Sequence, residues 1–185
     1  MKQVLFITGN EHKVWQAKKV LKPYGIEVEV RDLSVVEIQA HDPHEIAYAK
    51  AEAAYALAKR PLIACDHSWA ITTLNGFPGG YMSDVTAWFK PEDFLALMQH
   101  KKDRSVTLTE SIVYTNGKTK KLFSVEYKGH VIHEARGNEG ISFEKVTVFD
   151  GQDITISEAR DAKIHARDME QSAWKQFGQW YSQQK

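Results

Sequence analysis

The stretch QVLFITGNEHKVWQAKKVLK, residues 3–22, decides the fold. Its first part, 3–7, is rich in β-branched and aromatic side chains and predicts a buried strand that stops at the small polar triplet 8–10. Asn10 is a good N-cap for a helix after the triplet. Apolar residues then recur at a helical period, at Val14, Ala17 and Leu21. The stretch therefore predicts a strand that passes through a tight polar turn into an amphipathic helix.

The same alternation of strand and helix continues along the chain. An alternating run at 26–30 predicts a second strand, and the alanine-rich segment 43–60 predicts a helix that begins at Pro43. Pro61 ends this helix, and LIAC at 62–65 predicts a third, buried strand. The order strand, helix, strand, helix, strand is typical of an α/β layer with parallel strands.

The second half of the chain has a different pattern. Residues 105–137 predict two long strands, and Asn116-Gly117 between them is a strong hairpin signal. A further strand-like run covers 141–149, and 166–181 predict a helix at the end of the chain. The predicted fold is α/β and two-lobed, with a mixed, long-stranded sheet, flanking helices and a central nucleotide-binding cleft.

Length, composition and charge limit the possible functions. The 185 residues fit a single domain covering 1–185, and a hydrophobic fraction of 43% is enough for a real core. Lys+Arg and Asp+Glu both number 24, so no basic excess indicates a nucleic-acid partner. No run approaches the ~18 apolar residues of a membrane span, and the N-terminal apolar run is shorter than that of a signal peptide. Cys65 is the only cysteine, which excludes an internal disulfide and favours a reducing, cytoplasmic location.

The turn after the first strand is a candidate phosphate site. The N–H groups and the dipole of a helix start favour an anion, Gly9 would let a phosphate approach the backbone, and Lys13 could reach it. Thr8 and Asn10 would add polar atoms. The alternative is a plain helix N-cap. No Walker motif is present, so the stretch is not a P-loop.

Two further residues before and within the second helix could complete such a site. Glu37 lies between apolar neighbours in a loop, and its carboxylate would suit a hard cation such as Mg²⁺. Lys50 lies about two turns into the helix and could face a cleft. The alternatives are a solvated carboxylate and a solvated lysine.

Asp66 directly follows the predicted third strand, where ligand groups collect in α/β sheets. A carboxylate there, next to Ser68, could hold a metal or activate water. The alternative is an aspartate that only shapes a turn. His67 has no spaced partner for a zinc site and is interpreted as a neighbour. Taken together, the turn, the lysines and the two carboxylates suit Mg²⁺-assisted attack on a nucleotide phosphate.

The chain also resembles a known family, the inosine triphosphate pyrophosphatase (Ham1-like) family. TGNEHK is similar to its T-x-N-x-x-K opening, and DLSVVEIQ to its D-L-x-x-x-E-x-Q stretch. HEIAYAKAEAA resembles its lysine-bearing helix. CDHSWAITTLNGFPGGY resembles its segment D/E-D-S/T-x-L-x-x-x-x-L-x-G-x-P-G-x-Y, and EARG resembles a later element. The spacing of these motifs holds across residues 6–81.

The resemblance implies a two-lobed α/β fold, a homodimer, and Mg²⁺-dependent hydrolysis of a nucleoside triphosphate to a monophosphate and pyrophosphate. It also implies roles for individual residues. Glu37 would bind the metal, Asp66 would be the base or a metal-linked carboxylate with Ser68 beside it, and Lys13 would also neutralise developing charge. The residues that would bind the triphosphate are Thr8, Asn10, Lys13 and Lys50.

Three departures from the family pattern concern the residue before Asp66 and two segments of the second half of the chain. The acid that precedes Asp66 in the motif is Cys65 here. The family segment F-G-[YW]-D-P is missing from 141–149, and its S-H-R triplet becomes His165-Ala166-Arg167. Arg167 keeps a fork of donors that could meet a carbonyl oxygen of the base.

The predicted function is hydrolysis of unusual purine nucleotides such as ITP, XTP or a deoxy form. The departures leave two alternatives open. One is the same chemistry on another nucleotide, and the other is a nucleotide-binding or regulatory protein that has lost turnover because Cys65 replaced an acid.

Overall fold

The computed structural model describes residues 2–33 and 35–184 of the protein. Ser34, within the stretch DLSVVEIQ, lies outside the described residues. The strands formed by the described residues are β1 (Lys2–Ile7), β2 (Ile26–Arg31), β3 (Leu62–Ile71), β4 (Pro78–Gly79), β5 (Ser105–Thr115), β6 (Lys120–Val131) and β7 (Thr147–Phe149). The strand order is β2-β1-β3-β5-β6-β7, and β4 pairs with β3.

The helices accompany this mixed sheet, and the predicted α/β fold class is confirmed. Among the described residues the α-helices are α1 (Glu11–Leu21), α2 (Pro43–Ala58), α3 (Met82–Trp88), α4 (Pro91–Leu97), α5 (Ile156–Asp161) and α6 (Ala173–Ser182). Of these helices, none combines the length and the apolar character needed to span a bilayer.

The chain divides into two compact units. The first unit contains the chain up to His67, Glu110–Val125 and the residues from Met169 onward. In it, β1 pairs in parallel with β2 on one side and with β3 on the other. This is the parallel α/β layer that the alternating first part of the sequence predicts.

Both faces of this layer are covered by helices, because successive side chains of a strand point to opposite faces. On one face, Val4 and Phe6 of β1 belong to a core cluster that includes residues of α1 and α6. On the other face, Leu5 and Ile7 of β1 pack with Ala54 of α2. Side chains of β3 that point to one face therefore meet α1 and α6, and those that point to the other face meet α2.

The second unit contains Ser68–Thr109 and Glu126–Asp168. In it, β4 pairs antiparallel with β3, and β7 pairs antiparallel with β6. Its core contains several large aromatic side chains, and the ring of Phe143 lies 5.2 Å from that of Trp69 and 4.8 Å from that of Phe94. Burial of these rings supplies the apolar core of the unit.

Two of the predicted elements differ in the structure. The run 141–149 is a 3₁₀ turn at Ser142–Val146 followed by the short strand β7, because the Glu144 carboxylate accepts the Ile141 N–H and bends the chain. The terminal helix begins at Ala173 and not near 166, because Ser172 caps it by accepting the Lys175 N–H.

Candidate active site

The turn between β1 and α1 is a capped helix start. The Asn10 side chain accepts the N–H of Lys13 at 3.1 Å, and the Thr8 hydroxyl oxygen accepts the N–H of Asn10 at 3.1 Å. These bonds satisfy N–H groups that a helix start would otherwise leave unpaired. The N-cap interpretation of this turn is therefore confirmed, and a role in phosphate binding stays a prediction.

The sequence predicted that Gly9 lets a phosphate approach the backbone. In the structure, a carboxylate approaches the backbone at this glycine. A Cβ at this position would lie 2.6 Å from Oδ2 of Asp32. The glycine is therefore needed because the Asp32 carboxylate packs against the turn. This carboxylate is a further charged group at the helix start, and the sequence analysis did not assign it a role.

Lys13 connects the start of α1 to the third strand. Its ammonium group donates to the backbone carbonyl oxygen of Cys65 at 3.2 Å. Cys65 immediately precedes Asp66 in β3, so Lys13 lies beside the strand segment that carries this carboxylate. The structure thus brings Lys13 to the backbone next to the predicted catalytic residue.

The ammonium group of Lys50 pairs with both predicted carboxylates, those of Glu37 and Asp66. Its nitrogen lies 2.5 Å from Oε1 of Glu37 and 3.8 Å from Oδ1 of Asp66. The side chains of Lys50 and Asp66 are each 14% exposed, whereas that of Glu37 is 44% exposed. The loop carboxylate, the helix lysine and the strand carboxylate therefore form one cluster in the first unit, as expected for members of one site.

The charge state of Lys50 follows from its partners. Burial lowers the pKa of Lys50, but the hydrogen bond to Glu37 and the charges of Asp66 and Glu37 outweigh burial, and the net pKa is raised above its ordinary value. Lys50 therefore remains a cation at neutral pH. It can neutralise the neighbouring carboxylates or the oxygens of an anionic ligand.

The sequence predicted that Asp66 follows the end of the third strand. In the structure Asp66 lies within β3, which continues to Ile71. Because side chains alternate along the strand, Ala64 and Asp66 point to one face, and Ala64 packs there with Ala47 and Ala51 of α2. This alternation explains why the carboxylate meets Lys50, which projects from the same helix. The sequence missed the length of β3 because CDHS interrupts its apolar run with polar residues.

Cys65 points to the opposite face and is 1% exposed in the core beside α1 and α6. Burial raises the pKa of its thiol to about 12; the Lys13 charge opposes this rise, and the carboxylates of Glu110 and Asp66 add to it. Cys65 is therefore a neutral core thiol where the family motif has an acid. It does not supply the missing negative charge.

His67 and Glu110 form a contact that the sequence analysis did not anticipate. Nε2 of His67 lies 3.3 Å from Oε1 of Glu110, and the side chain of Glu110 is fully buried. Its other oxygen, Oε2, accepts the N–H of Ala173 at 3.1 Å. The only signal in the sequence was a charged residue inside an otherwise apolar strand pattern at 105–115.

Ser68 and Arg167, two other predicted site residues, belong to the second unit. Ser68 is 8% exposed and Arg167 is 9% exposed. The Arg167 guanidinium lies 4.5 Å from the centroid of the Tyr127 ring and 5.8 Å from that of Phe149. Arg167 is thus a buried, ring-stacked arginine, which restricts the directions of its donors.

Glu144, in the run 141–149 where the family segment F-G-[YW]-D-P is missing, is also buried in the second unit. Its carboxylate lies 2.7 Å from a terminal nitrogen of Arg160 and accepts the Ile141 N–H at 3.2 Å. A carboxylate held in this way forms part of the internal framework of the unit.

The donor set of the first-unit cluster fits Mg²⁺ chemistry. Mg²⁺ prefers oxygen ligands and is usually bound through one or two carboxylates, waters and substrate phosphates. Glu37 and Asp66 converge on Lys50 and supply two such carboxylates. Within residues 2–33 and 35–184, no group of three or more His, Cys, Asp or Glu side chains is arranged to hold a metal.

Comparison with known protein families identifies a relationship over nearly the whole chain. The model of the Ham1 family matches residues 4–180. A dITP/XTP pyrophosphatase of Methanopyrus kandleri is 33% identical over 183 residues, which are 97% of this chain and 96% of that protein. A dITP/XTP pyrophosphatase of Saccharolobus solfataricus is 34% identical over 152 residues, 82% of this chain and 79% of that protein.

Solved structures show the same fold. A HAM1 protein from Coxiella burnetii matches with a TM-score of 0.79 at 20% identity, and the Staphylococcus aureus Ham1 protein matches with a TM-score of 0.77 at 21% identity. Each match covers 100% of both chains. These similarities confirm the arrangement of strands and helices.

Proposed function

The chain belongs to the Ham1 family, and from this premise we propose that it hydrolyses nucleoside triphosphates to monophosphates and pyrophosphate. The substrates we propose are unusual purine nucleotides such as dITP and XTP. This choice is supported by the names of the relatives that are 33% and 34% identical to the chain. The enzyme is then a hydrolase acting on a phosphoric anhydride bond.

The observation that carries the proposal is the cluster of Lys50 with Glu37 and Asp66. It contains two carboxylates for a cation or a water molecule and a lysine for phosphate oxygens. The residues come from a loop, a helix and a strand that are far apart in the sequence. Their convergence matches the set of residues that the family motifs single out.

We assign the steps to residues of the first unit. Asp66 orients and deprotonates the water that attacks the α-phosphorus, and pyrophosphate leaves. Lys13 and Lys50 neutralise the charge that develops on the phosphates, a contribution that is large when the cations are already in place. Gly9 contacts the triphosphate through its backbone N–H, and Thr8 and Asn10 contact it through their side chains.

Mg²⁺ is the cofactor we propose, with Glu37 and Asp66 as its protein ligands. When bound, the cation would supply charge neutralisation at the phosphates. Further proposals concern Ser68 as a substrate contact beside Asp66, Arg167 as the reader of the base, a homodimeric assembly and a cytoplasmic location. The family resemblance supports the first three, and the single cysteine of the chain supports the location.

Pyrophosphate release with a panel of nucleotides tests the function directly. dITP, ITP and XTP are compared with the common NTPs and dNTPs in the presence and absence of Mg²⁺. We expect the highest kcat/KM for the inosine and xanthosine nucleotides and no release without the metal. Binding of these nucleotides without any release would instead support the regulatory alternative.

Glu37→Gln tests the assignment of the metal ligand. The substitution keeps the size of the side chain and removes the charge, so we expect turnover to collapse, because a bound cation supplies several kcal/mol of charge stabilisation at the phosphates. The melting temperature should change little, because Glu37 is 44% exposed. The control is Glu52→Gln, which removes an exposed carboxylate from α2 that pairs with Lys120. Near-normal activity of Glu37→Gln at limiting Mg²⁺ would contradict the assignment.

A further inference from the structure

The contact between His67 and Glu110 lies next to the proposed catalytic residue but on the other face of β3. Cys65 and His67 share the face that packs toward α1 and α6, whereas Asp66 points to α2. Glu110 lies on the same side, in β5, two residues before the core residue Ile112. The strand β3 therefore presents a carboxylate to one side and an imidazole to the other.

Glu110 is held in place from two directions. Oε1 lies 3.3 Å from Nε2 of His67, and Oε2 accepts the N–H of Ala173, the first residue of α6, at 3.1 Å. A buried carboxylate requires such partners because its desolvation is costly, and the positive end of a helix dipole favours it further. Glu110 is consequently a fixed anchor against which the imidazole is oriented.

Exposure increases from Glu110 to His67. The side chain of Glu110 is 0% exposed, so it cannot touch a nucleotide, whereas that of His67 is 19% exposed. A buried carboxylate behind a partly exposed histidine fixes the tautomer and the orientation of the ring. Within this pair, only His67 can therefore reach the substrate.

The position of His67 in the family motif links this geometry to the proposed active site. Counted along D/E-D-S/T, the chain reads Cys65, Asp66, His67, so the imidazole occupies the Ser/Thr position and Ser68 follows it. Cys65 is a buried thiol where the motif has an acid, and the carboxylate that contacts His67 on this face is that of Glu110. The negative charge on this face therefore comes from β5.

We propose that His67 is a substrate-contacting residue in place of the motif's hydroxyl and that Glu110 is the positioning residue that holds it. The imidazole, held at Nε2 by Glu110, presents its exposed edge to the nucleotide. This proposal rests on the proposed hydrolysis of nucleoside triphosphates. It assigns a role in the reaction to a residue pair outside the cluster around Lys50.

A double-mutant cycle tests the coupling of the two residues. His67→Ala, Glu110→Gln and the double variant are compared with the wild-type protein for pyrophosphate release from dITP, and melting temperatures are recorded. We expect each single variant to lose about 10- to 100-fold in kcat/KM, as is usual for a histidine and its orienting partner. The double variant should lose no more than the worse single variant, because both changes remove the same interaction.

A purely structural role of Glu110 gives a different result. If Glu110 only anchors α6, Glu110→Gln lowers the melting temperature. It then reduces activity by the same factor in the wild-type protein and in the His67→Ala variant, and this result overturns the proposal. The control Glu126→Gln, an exposed carboxylate of β6 that pairs with Lys128, should change neither quantity.

Two further outcomes separate this proposal from the proposed function. If Glu110→Gln does not fold, His67→Ala alone decides, because an active wild-type protein whose His67→Ala variant keeps full activity overturns the role of His67. A wild-type protein that releases no pyrophosphate from any nucleotide overturns the proposed function instead.

Discussion

At the scale of single residues, the direction of one side chain determines the candidate site. Asp66 meets Lys50 only because β3 continues through Asp66, so that this carboxylate shares the α2 face with Ala64. Had the strand ended at Cys65, strand alternation would not fix the direction of Asp66. Its role in the chemistry and the separate role of Lys13 can be tested by comparing their variants.

Asp66→Asn and Lys13→Ala should affect different kinetic constants. A lost general base or metal-linked carboxylate costs on the order of 10²–10⁴ in rate, so Asp66→Asn should lower kcat strongly and leave KM nearly unchanged. Lys13→Ala removes a cation next to the β3 backbone that is proposed to bind the triphosphate, and it should raise KM more than it lowers kcat. Steady-state kinetics with dITP measures both constants. Small and equal effects of the two substitutions would contradict these roles and support a protein that binds nucleotides without turnover.

Cys65 makes the stability of the protein depend on alkaline pH. Its pKa is raised from 9.0 to about 12 in the folded chain, so the folded state keeps a proton that the unfolded state loses. The free energy of unfolding should therefore be unaffected by this group below pH 9 and should fall as the pH rises from 9 towards 12. One unit above the unfolded pKa, at pH 10, the loss is about 1.4 kcal/mol.

Urea denaturation at pH 8 and pH 10 measures this effect. Cys65→Ala creates a small cavity and should be less stable at both values, but its loss between pH 8 and pH 10 should be smaller than that of the wild-type protein by about 1.4 kcal/mol. The comparison of two losses removes the contribution of tyrosines and lysines that titrate in both proteins. Equal losses would show that Cys65 ionises normally in the folded chain.

At the scale of elements, the periodicity of the sequence was sufficient to locate the first three strands and two helices, although it ended the third strand at Cys65 and not at Ile71. Their apolar residues recur with the period of the element, and Asn10, Pro43 and Pro61 mark the boundaries. The run 141–149 failed because its β-like composition is overruled by Glu144, whose bonds to Ile141 and Arg160 impose a 3₁₀ turn. The bond to Arg160 joins residues 16 positions apart and leaves no local pattern in the sequence.

Two features of the hairpin between β5 and β6 favour glycine at its turn, the positive φ of Gly117 and the nearby ring of Tyr55. Gly117 has φ +84°, and a Cβ on it would collide with the ring of Tyr55 from α2. Gly25 has φ +66° in the same unit and nothing within 4 Å of such a Cβ. Both alanine variants are strained in the backbone, so Gly117→Ala should cost about 1–3 kcal/mol more than Gly25→Ala because of overpacking. Urea denaturation gives both values, and equal losses would mean that Tyr55 moves away freely.

At the scale of the whole molecule, the predicted site residues are divided between the two units. Lys13, Glu37, Lys50 and Asp66 belong to the first unit, and Arg167 belongs to the second. The sequence identified these residues through motifs, and Asp32 opens the motif that contains Glu37. The contacts of Asp32 with Gly9 and of Glu110 with His67, however, appear only in the folded chain. Long-range pairs of this kind have no spacing signature, because the fold and not the motif places them together.

This division leads to a prediction about Arg167. If the arginine reads a carbonyl oxygen of the base, Arg167→Lys should reduce kcat/KM for dITP and XTP about 10- to 100-fold relative to that for dATP, since a hydrogen bond to a charged group contributes about 1.5–3 kcal/mol. Lysine keeps the charge but loses the planar fork that stacks 4.5 Å from the Tyr127 ring. Inhibition by inorganic pyrophosphate, which has no base, should be unchanged.

Arg60→Lys is the matched control, because Arg60 is a partly exposed arginine of the first unit that pairs with Glu29. It should alter neither the ratio between nucleotides nor the inhibition by pyrophosphate. If Arg167→Lys leaves the ratio between dITP and dATP unchanged, the base is selected elsewhere, and the stacked arginine has only a packing role. If it weakens pyrophosphate inhibition as strongly as it lowers the rate with dITP, Arg167 acts on the phosphates and not on the base.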